Sequence, residues 1–383
     1  MSIQIKVYDK DRKFQGQIGN PSSLKITPRV FPLIGTAVMT LPLSHKMASR
    51  LHNEPGMRLV FTNTADGDQP LSGPVDMTVL DSDTDSLTVT IIDDAWLLAG
   101  ILGWQVPGAA IAAQGSADYK TYTGKAETVV KQVVRENGVG RLKIPGLVVA
   151  PDLGRGTVVN GGASFRMHPL PDRLYPGLEM AGIGLRIKQV AADLVFDVYV
   201  PRTFPQTLSV EGRTIKSATH SRSRPTASRA VIGGPGEGKE RRFRQLVDGA
   251  REAAYGFCGE TFRDARDAKD DSEPENVAAT TATMDARGWE TLTERAAVNG
   301  LSIKLAESSI FTYGPDGVLV GDKVPVDIFG TRIIDTVTEA VIEWVAPGYV
   351  RAEPIIGEQA DPAVRQAKTL AALKESQRKE ERA

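Results

Sequence analysis

The sequence predicts a β-rich α+β protein, and three observations predict it. Short segments alternate apolar and polar residues with a period of two, as at Ile3, Ile5 and Val7. Segments of this kind recur about every ten residues, and 37 Gly and 23 Pro supply the turns between them. Helical periodicity is confined to a few stretches. With 383 residues the chain exceeds one typical domain and can bury two or three cores.

Taken in order, residues 1–95 carry most of the strand signal: Ile3–Val7, Ser23–Val30, Thr36–Leu41, Arg58–Thr62, Gly73–Val79 and Leu87–Asp93. A short helix, SHKMASRLHN, interrupts them, with Ser44 as its expected N-cap. The stretch DAWLLAGILGW (Asp94–Trp104) is apolar and reads as a core or interface segment. In TGKAETVVKQVVRENG, Val129, Val130, Val133 and Val134 share one helical face, and Asn137-Gly138 is the expected stop. A second helix is expected around Asp172–Gly182, followed by the strands GLRIKQV and DLVFDVYV, a polar strand region over Gln206–Ser228, and the strand Arg229–Ile232. From Asp248 to Ala279 charge rises and apolar content falls, which predicts an exposed excursion. Asp285 is the expected cap of the helix ARGWETLTERAAVNG, which ends in Asn-Gly before the strand LSIKL. The strands GVLVGDKVPVDIFG and TRIIDTVTEAVIEWV follow. From Asp361 a polar helix is expected to close the chain, with Pro362 at its first position and Val364, Leu370 and Leu373 as sparse apolar positions.

Charged residues make up 24% and nearly cancel, to a net charge of −1, so the total predicts neither nucleic acid nor an acidic partner. The single cysteine, Cys258, excludes an internal disulfide and a zinc site built from thiolates alone; it reads as a small buried hydrophobe. The N-terminus reads as a strand and not as a signal peptide. No apolar run approaches the roughly 20 residues of a membrane span.

One stretch imitates a nucleotide site. In VIGGPGEGKERR, Gly233, Gly238 and Lys239 stand where a phosphate-binding loop places its glycines and lysine. The next position must be Ser or Thr to hold Mg²⁺, and here it is Glu240. A glycine-rich connection between strands is the better reading. His45, His52, His168 and His220 lack any metal-ligand spacing, and neither HExxH nor GxSxG occurs. The acids Asp264, Asp267, Asp270, Asp271, Glu273 and Glu275 lack the order of a calcium loop and alternate with Arg263, Arg266 and Lys269. Arg222, Arg224, Arg229, Arg241, Arg242 and Arg244 form the most basic region without aromatics interleaved for stacking bases; it reads as an ion-paired subunit interface. Catalytic, cofactor-binding and metal residues are therefore all expected to be none.

Five stretches in succession carry a resemblance: TGKAETVVKQVV, GLRIKQVAADLVFDVYVP, RPTASRAVIGGPGEGKERRF, YGFCGETFRDAR and VGDKVPVDIFGTRIIDTVTEAVIEW. Together the chain resembles a minor tail protein family of siphoviruses that infect actinobacteria. The resemblance implies a tail-hub-like fold, two small β-barrels with inserted α/β segments, in which three chains form a ring of pseudo-sixfold symmetry. On that basis the chain divides into a first barrel over 1–95 and an α/β insertion over 96–190. The second barrel is built from 191–247 and 301–357, with a charged excursion and helix over 248–300 inserted in it. A polar C-terminal helix covers 358–383. The implied role is structural and non-enzymatic: a homotrimeric hub at the virion tail tip, assembled in the host cytoplasm. It would join a sixfold tube to a threefold tip and contact a distal tail protein, a tape measure and tip proteins. A cell-wall-degrading or carbohydrate-binding tail-tip module is the alternative. The missing nucleophile and metal cluster count against the first, and 6% aromatic content against the second.

Overall fold

Period-two alternation becomes period-two burial. Along β1 (Ile3–Tyr8), Ile3, Ile5 and Val7 turn inward while Gln4, Lys6 and Tyr8 do not. The computed structural model describes residues 2–357 apart from 160–161, 175–180, 210, 213–214, 267, 269–276, 298, 306–312, 315, 329 and 347–348. β1 is followed by β2 (Phe14–Ile18), β3 (Ser23–Thr27), β4 (Thr36–Pro42), β5 (Arg58–Asn63), β6 (Leu71–Asp81) and β7 (Ser86–Ile92). They pair antiparallel in the order β3-β4-β7-β6-β5-β1-β2. All seven donate inward residues to one core, including Ile5, Ile18, Ile26, Met39, Phe61, Leu71 and Val89, so the sheet wraps around it. β6 passes from a ladder with β5, which ends at Pro74, to a ladder with β7, which begins at Val75; at Gly73, just before the switch, a Cβ would lie 1.7 Å from the Ile92 carbonyl oxygen. Only glycine permits that crossing.

The helix α1 (Ala48–Asn53) packs Ala48 and Leu51 on this core. It starts later than expected. Ser44 lies in a preceding turn, in which the His45 N–H donates to the Pro42 carbonyl, and the cap position falls to Met47 with no side-chain bond.

Beyond Asp94 a second core forms around α2 (Ala126–Val134), whose Val129, Val130, Val133 and Val134 are fully buried, as their spacing predicts. Asn137-Gly138 does not end the winding, which continues as a wider turn through Arg141. Buried Asn137 explains this: its side chain donates to the Val133 carbonyl and accepts the Trp104 N–H. Against α2 lie β8 (Leu147–Val149), β9 (Gly184–Val190) and β10 (Asp193–Tyr199), with β10 in the centre. β10, expected in the second barrel, therefore belongs to the sheet of the insertion. Of the helix expected near Asp172–Gly182, residues 170–174 are helical and 175–180 lie outside the described residues.

Next come β11 (Ile215–Arg222), β12 (Arg229–Gly233) and β13 (Phe243–Val247), then α3 (Gly249–Tyr255), β14 (Glu260–Asp264) and α4 (Val277–Glu294). β12 pairs with β13 and with β14, forming a small sheet that α4 covers on one face through Met284 and Leu292 against Ala230 and Ile232. Two expectations change here. Among the described residues the Arg229–Ile232 strand pairs with β13 and β14 alone and not with the strands of the third core, and the charged excursion contains a helix and the strand β14. Residues 267 and 269–276 of that excursion lie outside the described residues. Asp285 sits inside α4 and not at its start, and Asn299-Gly300 opens the next strand instead of closing the helix.

The last strands are β15 (Asn299–Leu305), β16 (Lys323–Ile328), β17 (Thr331–Ala346) and β18 (Tyr349–Ile356). β15 pairs with β11, and β17 pairs with β16 and β18 around a third core of Ile215, Ile303, Val324, Val326, Val337 and Ile356. Through Ile342 and Glu343, β17 also pairs with β3. Ile342 is buried in the first core and Val337 in the third, so one long strand holds the two together. With a two-residue strand at Leu208–Ser209 beside β16 these make an eleven-stranded sheet, which is open: among the described residues no ladder joins β2 to any strand but β1.

Candidate assembly surfaces

The outer face of the first sheet is uncharged across three strands. In one cross-strand row stand Val38 of β4, Thr90 of β7 and Met77 of β6; in the next stand Thr40, Thr88 and Val79. Met77 and Val79 are about half exposed, at 54% and 49%. Lys25 of β3 and Glu343 of β17 extend the first row and pair with each other at 3.9 Å. β5 pairs with β6 only over Leu71–Pro74, so from Asp76 to Asp81 β6 has β7 on one side and, among the described residues, no strand on the other. Helix α1 lies beside this edge, where His52 bonds the Thr78 hydroxyl at 2.9 Å, so the edge carries a helix in place of a strand. This edge ends in an acidic turn, Asp81, Asp83 and Asp85. Hydrogen bonds from the Thr84 side chain and from the backbone N–H groups of Thr84 and Asp83 hold the Asp81 carboxyl below its ordinary pKa, so the turn stays charged.

A polar latch fastens the insertion to this sheet. Arg58 of β5 donates to Asp94 at 2.5 Å and to the Gln189 side chain at 3.1 Å. Ser72 donates to the other Asp94 oxygen at 2.7 Å. Gln69 imitates a strand, accepting the Gln189 N–H and donating to the Gln189 carbonyl, both at 3.0 Å. Lys188 reaches Asp68 at 2.8 Å, and Arg12 donates to the Ala192 carbonyl. Asp94 is wholly buried; burial raises its pKa more than Arg58 and Ser72 lower it. Beside it burial, then the Asp94 charge, push Asp93 up to about 7 against the pull of the Ala95 N–H and of Lys188.

Inside the insertion four charges close on one another. Buried Lys131 donates to Glu127 at 2.7 Å, to Asp197 at 2.8 Å and to the Pro151 carbonyl at 2.7 Å. Arg155 bonds the same two carboxylates. Bonds from Arg155 and Lys131 hold Glu127 well below the usual carboxylate range against its burial. Burial pushes Asp197 up, yet its bonds to Lys131 and the nearby Arg155 leave it lowered. Carboxylates so satisfied hold a fixed charge and do not exchange protons near neutrality.

The residues weighed for chemistry lie apart. His45 accepts the Met47 N–H, and its pKa is lowered by burial and by Lys46. His52 bonds Thr78, His168 accepts the Arg166 N–H, and His220 lies in β11. Among the described residues no three His, Cys, Asp or Glu side chains gather as metal ligands. Cys258 is exposed, not buried as expected, with its sulfur 3.6 Å from the Arg229 guanidinium. Trp96 and Trp289 are also partly exposed, Trp96 within an apolar stretch of sequence. Of the acidic run, Asp264 bonds Arg241 and Arg266, while 267 and 270–275 lie outside the described residues. The basic region is ion-paired within the chain: Arg229 with Glu252, Arg241 with Asp264 and Arg244 with Asp285. The glycine-rich loop joins the antiparallel strands β12 and β13 through a single turn at Gly238–Glu240, without the helix that supports bound phosphates. Gly236, at φ +99°, makes the reversal; a Cβ there would lie 2.5 Å from the Glu240 carbonyl oxygen.

The latch and the buried quartet escaped the sequence reading. Glu127 and Lys131 were visible as an i, i+4 pair beside the valine face, and Asp93-Asp94 as two acids closing an apolar strand. Their side-chain partners, 22 to 66 residues away, were not.

The sequence matches the family described as Siphovirus ReqiPepy6 Gp37-like protein over residues 4–358. The chain belongs to that family. No curated protein sequence matches it. This Gp37-like chain is similar in fold to the 43 kDa tail protein of prophage MuSo2 from Shewanella oneidensis, at TM-score 0.56 and 15% identity, covering 94% of this chain and 98% of that one. It is similar also to a tail protein from Neisseria meningitidis MC58, at TM-score 0.53 and 13% identity, covering 94% and 97%. A third is prophage tail protein gp18 from Listeria monocytogenes EGD-e, at TM-score 0.54 and 11% identity, covering 97% and 99%. At such identities the Gp37-like chain shares with them its fold, and it shares it over nearly the whole length of both partners.

Proposed function

We propose that this Gp37-like protein is a non-enzymatic structural subunit of a siphovirus tail, a hub at the tail tip. The observation that carries the reading is the end-to-end likeness to three tail proteins, since an accessory enzyme fused to a tail module would leave part of the chain unmatched. In this reading the first core with β1–β7 and the third core with β11 and β15–β18 are the two barrel-like units. Three chains then present six such units, which matches a sixfold tube to a threefold tip. The uncharged face of β4, β7 and β6 is the surface on which a neighbouring chain packs. A distal tail protein, a tape measure and tip proteins are the remaining partners, the host is an actinobacterium, and assembly takes place in its cytoplasm. The domain division is the one stated above, with Asp193–Tyr199 moved to the insertion and 229–294 as a separate α/β module.

Light scattering on the purified protein, across a hundredfold range of concentration, tests this. A mass of three chains is expected, and Val79→Glu shifts it toward one chain. A monomer throughout, or a trimer that Val79→Glu together with Met77→Glu leaves untouched, overturns the assignment.

A further inference from the structure

The module of β12–β14, α3 and α4 joins the rest of the chain at a narrow neck. β11 and β15 pair antiparallel, and their ladder ends with Arg222 opposite Asn299. The chain leaves for the module after the first of these residues and returns just before the second. Within the neck the Thr226 N–H donates to the Arg295 carbonyl at 3.0 Å. Arg251 of α3 ties both crossings from the module side, donating to the Ala227 and Leu292 carbonyls at 2.8 and 2.9 Å. Arg222 donates to the Tyr255 hydroxyl of α3 at 3.2 Å. Two adjacent crossings bound to each other form a stalk, about which a body can tilt without breaking its own sheet. The module also has its own core. Ala230, Ile232, Ala265, Met284 and Leu292 pack together, and among the described residues no buried apolar side chain joins that core to the one around α2.

What the module meets on the insertion is polar. α4 and β14 face the insertion across a cavity of about 30 Å³, room for roughly two water molecules. Ser164, Asp172 and Arg173 line it from the insertion, and Arg263, Arg287 and Glu290 from the module. Glu290 of α4 is partly buried there. Burial raises its pKa most; Arg263 and Arg287 of its own module lower it, Glu294 raises it, and Arg173 lowers it from across the cavity. Charges that keep contact with water attract one another weakly, and salt screens them. An interface between domains permits motion unless it is large and hydrophobic, and this one is lined with charges. We propose that the module is hinged: it tilts about the neck at Thr226 and Arg295 and closes on the insertion through the charge-lined cavity, with Glu290 and Arg173 supplying the attraction that seats it.

The distance between two spin labels within one chain tests this. In a Cys258→Ser background, Val148→Cys puts one label on β8 of the insertion, and Lys239→Cys puts the other in the exposed turn between β12 and β13. β12 sets that turn roughly 17 Å from the neck, so a tilt of about 30° moves it by roughly 9 Å. Labelled chains are diluted in excess unlabelled protein, so an oligomer of any size gives the same result and the ring assignment is tested separately. At about 0.1 M salt one short distance should dominate. Raising the salt to about 1 M cuts the screening length from roughly 10 to roughly 3 Å and should enlarge a second, longer-distance population several-fold. Glu290→Gln and Arg173→Gln, which act from opposite sides of the cavity, should each enlarge it at the lower salt. Amide exchange in β12 should stay slow throughout. A single distance under all these conditions overturns the hinge, and so does a second population that ignores salt and both variants. A longer distance accompanied by fast exchange in β12 also overturns it, because the module would then be unfolding and not tilting.

Discussion

Replacing Asp94 by alanine probes the joint between the first sheet and the insertion. Asp94 is fully buried, and the Arg58 side chain is 9% exposed. Removing one partner of a buried pair strands the other charge, at a cost of about 3–5 kcal/mol. Arg58 would keep its bond to Gln189, and Ser72 would lose its acceptor, so the lower part of that range applies, about 3 kcal/mol. With a urea slope near 3 kcal/mol per molar, the midpoint should fall by roughly 1 M. The companion variant Asp94→Leu with Arg58→Met removes both charges and should recover most of the loss. A fall of less than about 0.3 M in Asp94→Ala refutes the reasoning. So does a double variant as unstable as the single one, because the penalty would then not be a stranded charge.

Three further outcomes follow from the same geometry. Gly73→Ala should cost more than about 3 kcal/mol or prevent soluble expression, since its Cβ meets the Ile92 carbonyl; a melting temperature within 2 °C of the parent would contradict this. Asp93, raised to about 7, favours the folded state most at low pH, and this contribution is lost as pH rises from about 4 to 7. Asp93→Asn should therefore stabilise the protein at pH 8 relative to the parent while changing little at pH 4, as denaturation at the two pH values would show. Lys239→Ala, in an exposed hairpin turn, should alter neither folding nor assembly, and the parent should bind no ATP by calorimetry; saturable binding abolished by the variant would reopen the nucleotide reading.

The sequence by itself determined the strands. Ile3, Ile5 and Val7, or Leu185 and Ile187, can bury themselves only on one side of a pleated strand, so alternation locates the element and its inward face at once. It also determined α2, because four valines on one helical side leave no other solution. What it could not reach were the partners. Alternation says that a strand pairs and not with which strand, so Arg229–Gly233 gave no sign of joining Glu260–Asp264 instead of a second barrel. Local stop signals failed where distant groups outbid them: Asn137 is held inside by Trp104, and winding runs on past it. The latch of Arg58, Asp94 and Gln189 and the quartet of Glu127, Lys131, Arg155 and Asp197 were beyond reach for the same reason. Each is a set of charges that is tolerable in a dry interior only when all its members meet, and chain topology alone brings them together.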